Sequence, residues 1–331
     1  MKTQKLATFY AILAAALYAI NVPLSKALLD HISPTFLAAL LYLGAGIGML
    51  LFCLFEKIIG KETKREPLTK KELPYTVAMV VLDIAAPILL MLGIKMSHAA
   101  NVSLMNNFEI VATSIIALVI FKEVISKRLW IAIGLVTLGS AVLTFEGAGS
   151  FDFNIGSLFV FAACLCWGFE NNCTKMISNK SSVEIVIIKG IFSGLGSLII
   201  ALILGEKMPL LKWIFLAMLL GFFAYGLSIH FYIMAQNHLG AAKTSAFYSV
   251  APFLGVAFSF ILLGDAPALQ FYLGLAIMIA STLLMIKDTI KLQHSHSHSH
   301  GDLIHTHLHT HENAEEEHIG ESPTHQHDHR F

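Results

Sequence analysis

The sequence predicts an all-α integral membrane protein of ten transmembrane helices, arranged as two inverted five-helix repeats. Three observations lead there: too little charge to coat a soluble surface, ten apolar runs of bilayer length, and an internal repeat that halves the chain. Of 331 residues, 56% are hydrophobic and 13% charged, whereas soluble domains carry about 25% charged residues. Lipid must therefore be the solvent for most of the chain. The formal net charge is zero, and no basic excess marks a nucleic-acid surface. Cys53, Cys164, Cys166 and Cys173 all sit inside apolar stretches, where they read as small buried hydrophobes.

A crossing helix needs about 20 mostly apolar residues. Such runs fall at 5–29, 34–56, 73–95, 98–121, 128–146, 155–178, 183–205, 211–236, 240–263 and 268–287. The first follows Lys2 and Lys5, as a signal peptide would. Its apolar run continues through Leu29 and another follows at once, so it reads as a retained helix. Short connections force consecutive helices to run antiparallel. Lys57, Lys61, Lys64, Arg65, Lys70, Lys71, Lys122, Lys127, Arg128 and Lys180, with Lys2, Lys5, Lys287 and Lys291, then fall on one side. Only Lys95, Lys207 and Lys212 fall on the other. The positive-inside rule puts both termini in the cytoplasm of a cell membrane.

The repeat is visible in polar positions. Residues 17–26 (LYAINVPLSK) align with 166–175 (CWGFENNCTK), and 99–123 with 241–265, where Ser103 meets Ser245 and Glu123 meets Asp265. Five is odd, so two five-helix copies insert with opposite orientation. Transporters of this construction hold substrate at the midplane. The chain divides into a first repeat over 1–147, a second over 148–291, and a tail over 292–331.

The stretch Asn106 to Glu123 (NNFEIVATSIIALVIFKE) resembles the "L-E-P, then an apolar run, then G-E" signature of the drug/metabolite transporter superfamily, in its EamA-type permeases. Residues 248–265 (YSVAPFLGVAFSFILLGD) resemble its second copy. Ile110 stands where the signature has Pro; Ala251 replaces the Glu while Pro252 is kept. The resemblance covers roughly residues 5–287, one EamA repeat per half. It implies a central cavity lined by the first, third and fourth helices of each half, and usually export of metabolites or amino acids.

An ionisable group at mid-bilayer costs at least about 2.5–3.5 kcal/mol, so each is a functional candidate. Asp83, Glu109 and Glu170 lie well inside their helices. Burial favours the uncharged form of a carboxyl, which suits proton coupling or a substrate ammonium. Around them cluster the amides Asn21, Asn101, Asn106, Asn107, Asn171 and Asn172, enough for a polar cavity. Tyr18, Trp167 and Tyr248 are candidate aromatic walls, and Lys243, at the start of the ninth helix, a substrate contact. Lys26, Lys175 and Lys189 read as long side chains that snorkel to the headgroups. Gly44/Gly48 and Gly190/Gly194 have the spacing of close helix packing, and Pro23 and Pro87 that of kinks.

Beyond Lys291 the chain is polar, and twelve of the sixteen histidines lie there. Nothing in it builds a core, so it reads as disordered when empty. The alternation through His294, His296, His298, His300, His305, His307, His309 and His311 offers imidazoles to Zn²⁺, Ni²⁺, Co²⁺ or Cu²⁺. No cofactor is required by the ten-helix body. The sequence holds no G-x-x-x-x-G-K-[ST], H-E-x-x-H or nucleophile–base constellation, so it reads as no enzyme. The reading is a gradient-driven secondary transporter, exporting a small metabolite such as an amino acid by alternating access. The alternatives are a carrier of divalent Ni, Co or Zn, or a metal-sensing membrane protein. Partners are a small solute and the bilayer; the oligomeric state leaves no trace in the sequence.

Overall fold

The computed structural model describes residues 2–58, 66–121, 127–144, 154–177, 180–239, 248–264, 269–300 and 303–310. Its helices are α1 (Lys2–Ala19), α2 (Asn21–Leu28), α3 (Pro34–Ile58), α4 (Leu73–Met96), α5 (Ala99–Met105), α6 (Phe108–Phe121) and α7 (Lys127–Thr144) in the first half. The second half holds α8 (Ile155–Met176), α9 (Ser182–Ile203), α10 (Leu211–Gly221), α11 (Ser228–Leu239), α12 (Ala251–Leu263) and α13 (Leu269–Leu292). A short 3₁₀ turn, Lys70–Glu72, precedes α4, and a π-turn, Phe222–Leu227, joins α10 to α11.

Several of these are pieces of one span. The first breaks at Ile20, three residues before Pro23, whose ring nitrogen has no hydrogen to give to a helical carbonyl. The fourth breaks at Asn106–Asn107, between α5 and α6. By contrast α4 runs through Pro87 uninterrupted. Among the described residues, six helical runs are long and apolar enough to cross a bilayer: Leu6–Leu28, Pro34–Ile58, Lys70–Met96, Ala99–Ile120, Ser182–Ile203 and Leu211–Tyr232. Three more are apolar but shorter, Trp130–Leu143, Ala251–Leu263 and Leu269–Leu284. α8 adds 22 residues whose last third is polar. Exposed large side chains such as Leu51, Phe55, Val81, Phe192, Ile199 and Ile261 line the outer faces, a surface suited to lipid tails.

The strongest packings all cross between halves: α3 on α9, α4 on α8, α1 on α11, and α7 on α13. Exchanging the halves maps first-with-third onto third-with-first, and second-with-second and fifth-with-fifth onto themselves. Glycines make the central crossing possible. Gly46 and Gly190 bring the α3 and α9 backbones together, and a Cβ at Gly44 or Gly221 would strike the backbone of Met218 or Leu41. The core between them is built from Phe36, Leu37, Leu41, Leu90, Met91 and Leu104.

The tail departs from the sequence expectation. The body is all-helical, as the composition predicts, but in place of the predicted disorder the tail has β1 (Gln293–His300) paired antiparallel with β2 (Leu303–Thr310). The reason lies in the same alternation that drew attention to its histidines, since a period of two is the period of a strand. His311 and the rest of the tail lie outside the described residues.

Candidate functional site

The site grows from an ion cluster where four cross-packed helices meet. Asp83 projects from α4 and Glu170 from α8, with 0% and 2% of their surface exposed. Lys189 of α9 sits between them, its Nζ 3.1 Å from Asp83 Oδ2 and 3.0 Å from Glu170 Oε1. Tyr42 of α3 donates its hydroxyl to Asp83 Oδ1 at 2.9 Å, and Trp167 Nε1 donates to that hydroxyl at 3.4 Å. Thr174 donates to Glu170 one turn away. A second carboxylate layer lies alongside, where Asn171 Nδ2 donates to Glu109 Oε1 at 2.7 Å and to Thr113 Oγ1 at 3.3 Å.

Across the middle the polar groups continue as an aromatic spine. Tyr42 packs on Tyr225 of the π-turn with ring centroids 5.2 Å apart, and Tyr225 meets Tyr18 edge-on at 6.0 Å. Tyr18 in turn touches Tyr248, which touches Tyr232. The Tyr225 hydroxyl accepts from Asn21 Nδ2 at 2.9 Å, and Ser25 donates to Asn21 Oδ1 at 3.1 Å. Asn106 and Asn107 are buried at the break between α5 and α6. Asn106 borders a cavity of about 10 Å³ together with Tyr18, Ser103 and Pro252, room for about one water.

Thus Asp83, Glu170, Glu109, Asn171, Trp167, Asn21, Tyr18 and Tyr248 are gathered into one connected centre, with Asn106 at its edge. Asn107 is buried beside Asn106 in the same break. Lys243 lies outside the described residues, and the histidines are on the tail. Two readings from the sequence change. Lys189 does not snorkel, because two facing carboxylates in low dielectric demand a cation. Lys26 does not reach for headgroups either: its Nζ donates to the carbonyls of Ile94, Lys95 and Ser97 at 2.7, 3.1 and 2.7 Å. It thereby caps the negative end of α4. Tyr42 and Tyr225 are absent from the sequence candidates; Tyr42 and Lys189 lie on the second helix of each half, outside the cavity lining that the resemblance implies. A lone lysine six residues inside an apolar run was the available signal.

Among the described side chains, all of which lie in the helical body, no three His, Cys, Asp or Glu converge to hold a metal. The described centre holds three carboxylates against one ammonium, so full ionisation would leave two negative charges uncompensated.

Cross-half ties seal both ends. At one, Glu206 accepts from Ser33 Oγ at 2.7 Å and Phe36 N at 2.8 Å, capping α3, while His31 stacks on Trp213 with centroids 3.9 Å apart. At the other, Lys180 pairs with Glu66 at 3.0 Å, and Glu184 accepts from Leu68 N at 3.0 Å. The hydrogen bond to Glu66 holds the Lys180 ammonium above the usual lysine range.

The sequence matches the model of the EamA-like transporter family twice, over residues 5–145 and 154–287. The chain belongs to this family. An uncharacterized transporter from Methanothermobacter thermautotrophicus is 27% identical over 276 residues, covering 77% of this chain and 78% of that one. The uncharacterized transporter YyaM of Bacillus subtilis is 22% identical over 247 residues, covering 72% and 79%. A solved crystal structure shares the EamA chain's fold with a TM-score of 0.63 at 16% identity, over 86% of this chain and 97% of the other. With its apolar helices, the EamA chain is a multi-pass membrane protein of the transporter class.

Proposed function

We propose that this EamA protein is a gradient-driven secondary carrier of small metabolites bearing an ammonium group, amino acids first among them, working by alternating access. In this reading its ten spans form two inverted repeats over 1–147 and 148–291, with both termini in the cytoplasm and export as the working direction. The observation that carries it is the Asp83–Lys189–Glu170 cluster. It joins helices of both halves at their mutual crossing, and its carboxylates outnumber its cation. Protons or a substrate ammonium complete the charge balance, so occupancy and conformation become linked. The half-swapping pattern of helix contacts supports the inverted repeat, and the paired ties at opposite ends give each side a closure that can open separately.

Mechanistically, the sealed centre holds Asp83 and Glu170 on Lys189. An arriving ammonium competes with Lys189 for one carboxylate, and a proton occupies it when the substrate leaves. Glu109, tethered by Asn171, provides a neighbouring acceptor. Purified protein in proteoliposomes tests this by counterflow of radiolabelled amino acids, with Ni²⁺, Co²⁺ and Zn²⁺ in parallel. Amino-acid flux that disappears in Lys189→Met is expected. Metal flux, or flux unaffected by that substitution, overturns the proposal.

A further inference from the structure

The carrier reading leaves the histidine tail unused, and its backbone pairing gives that tail a specific geometry. In the β1–β2 ladder His294 stands opposite His309, His296 opposite His307, and His298 opposite His305. Residues directly opposite in an antiparallel pair lie on the same face, and residues two apart on one strand share that face as well. All seven histidines of the two strands, including His300 opposite Leu303, therefore occupy one face. The other face carries Gln293, Ser295, Ser297, Ser299, Ile304, Thr306, Leu308 and Thr310, and not one histidine. A random placement of alternating tracts would give this result only half the time.

The spacing suits a metal. Paired positions in a ladder are about 4.5–5.5 Å apart, and successive pairs on one face about 7 Å along the strand. Two adjacent cross-strand pairs so bring four imidazole-bearing positions to one patch, the number a tetrahedral Zn²⁺ takes. An isolated two-stranded hairpin is marginal in water, and a metal bridging the strands supplies what its missing core does not. Pairing and metal binding are thus one event.

We propose that the paired strands 293–300 and 303–310 form a metal-binding site that spans both, using layers of cross-strand histidine pairs to hold a borderline divalent cation such as Zn²⁺, Ni²⁺ or Cu²⁺. The site belongs to the tail and is independent of the transport centre. Having ligands on both strands makes capture by the second strand intramolecular, a gain of about 10²-fold or more over one strand alone.

Calorimetric titration of ZnCl₂ into the detergent-solubilised full chain, purified through a tag without histidines, tests it. One comparison variant keeps the composition and moves the strand-two histidines to the opposite face: Ile304→His, His305→Ile, Thr306→His, His307→Thr, Leu308→His and His309→Leu. A second, Ser297→Pro with Thr306→Pro, keeps every histidine and breaks the ladder. A chain ending at Leu292 reports binding by the helical body. We expect tight Zn²⁺ binding by the native chain, at least about tenfold weaker binding by both variants, and loss of that binding in the truncated chain. Native affinity retained in either variant overturns the two-strand site, because a flexible tract of the same histidines would then suffice. Equal binding by the truncated chain, or none by the native one, overturns it as well.

Discussion

The two places where a first helix of one half meets the third helix of the other are built alike and charged differently. In one, Asn21 of α2 donates to the Tyr225 hydroxyl of the π-turn. In the other, Glu170 of α8 and Asp83 of α4 are joined through Lys189. Asn21 and Glu170 occupy the same position of the repeated segments 17–26 and 166–175. One crossing is therefore a neutral hydrogen bond and its counterpart a buried ion cluster, linked by Tyr42, which binds Asp83 and packs on Tyr225. The comparison teaches that duplication supplies the frame twice, whereas the ionisable chemistry is needed once. A second buried cluster would add its own desolvation cost.

The largest effect is expected from removing the cation. Lys189→Met leaves Asp83 and Glu170 facing each other and should cost about 3–5 kcal/mol of stability, read as a lower unfolding midpoint in detergent, together with loss of flux. The triple change Lys189→Met, Asp83→Asn and Glu170→Gln should recover most of the stability and none of the flux. Stability unrestored in the triple variant would mean that the charges are not what the centre is built around.

Making the charged crossing resemble the neutral one comes next. Glu170→Asn leaves a one-to-one Lys189–Asp83 pair that needs no further cation. Exchange of substrate across proteoliposomes should then lose its dependence on the proton gradient while the fold persists. Gradient-driven accumulation at the native level in this variant would move the proton acceptor to Glu109.

Asn21→Ala, at the neutral crossing, removes the hydrogen bonds to the Tyr225 and Ser25 hydroxyls and should cost about 1–3 kcal/mol, with a flux loss of a few-fold at most. If it matched Glu170→Asn in effect, the two crossings would be equivalent after all.

The smallest effect belongs to the solvated tie between Lys180 and Glu66. Because the folded state holds the Lys180 ammonium above its usual value, this pair contributes fully below the unfolded value of about 10.4. The contribution fades as pH rises through the folded value. Lys180→Ala should change the unfolding midpoint slightly at pH 7, less still in high salt, and not at all once pH exceeds the folded value.

Much of this centre is legible in the sequence. Carboxylates at mid-span are costly enough that Asp83, Glu109 and Glu170 announced themselves, and their amide neighbours followed from adjacency on the same helices. Lys189 was not legible, because a lysine's reach makes its depth in a span ambiguous until the partner helix is known. Tyr42 and Tyr225 were hidden for a different reason: a tyrosine in an apolar run looks like packing until a buried acceptor is found opposite it. The glycine spacings on α3 and α9 were visible, but that Gly46 rather than Gly44 or Gly48 meets Gly190 depends on the crossing angle. For the tail, composition pointed to metal and obscured the strand period that the same letters spell.

The π-turn at Phe222–Leu227 accommodates an extra residue within an otherwise α-helical span. Each residue of an α-helix advances the face by roughly 100°. Losing a single residue there would let the helix regularise, at almost no cost in length or hydropathy. The side chains beyond the turn would keep their facing, Ser228 with its 2.9 Å bond to the carbonyl of Ala14 among them, and only those within it, Tyr225 first, would be re-aimed. The same loss in a regular stretch such as α3 would swing every later side chain by that full angle, so the π-turn is where this span can shed a residue and stay aligned with the rest of the protein.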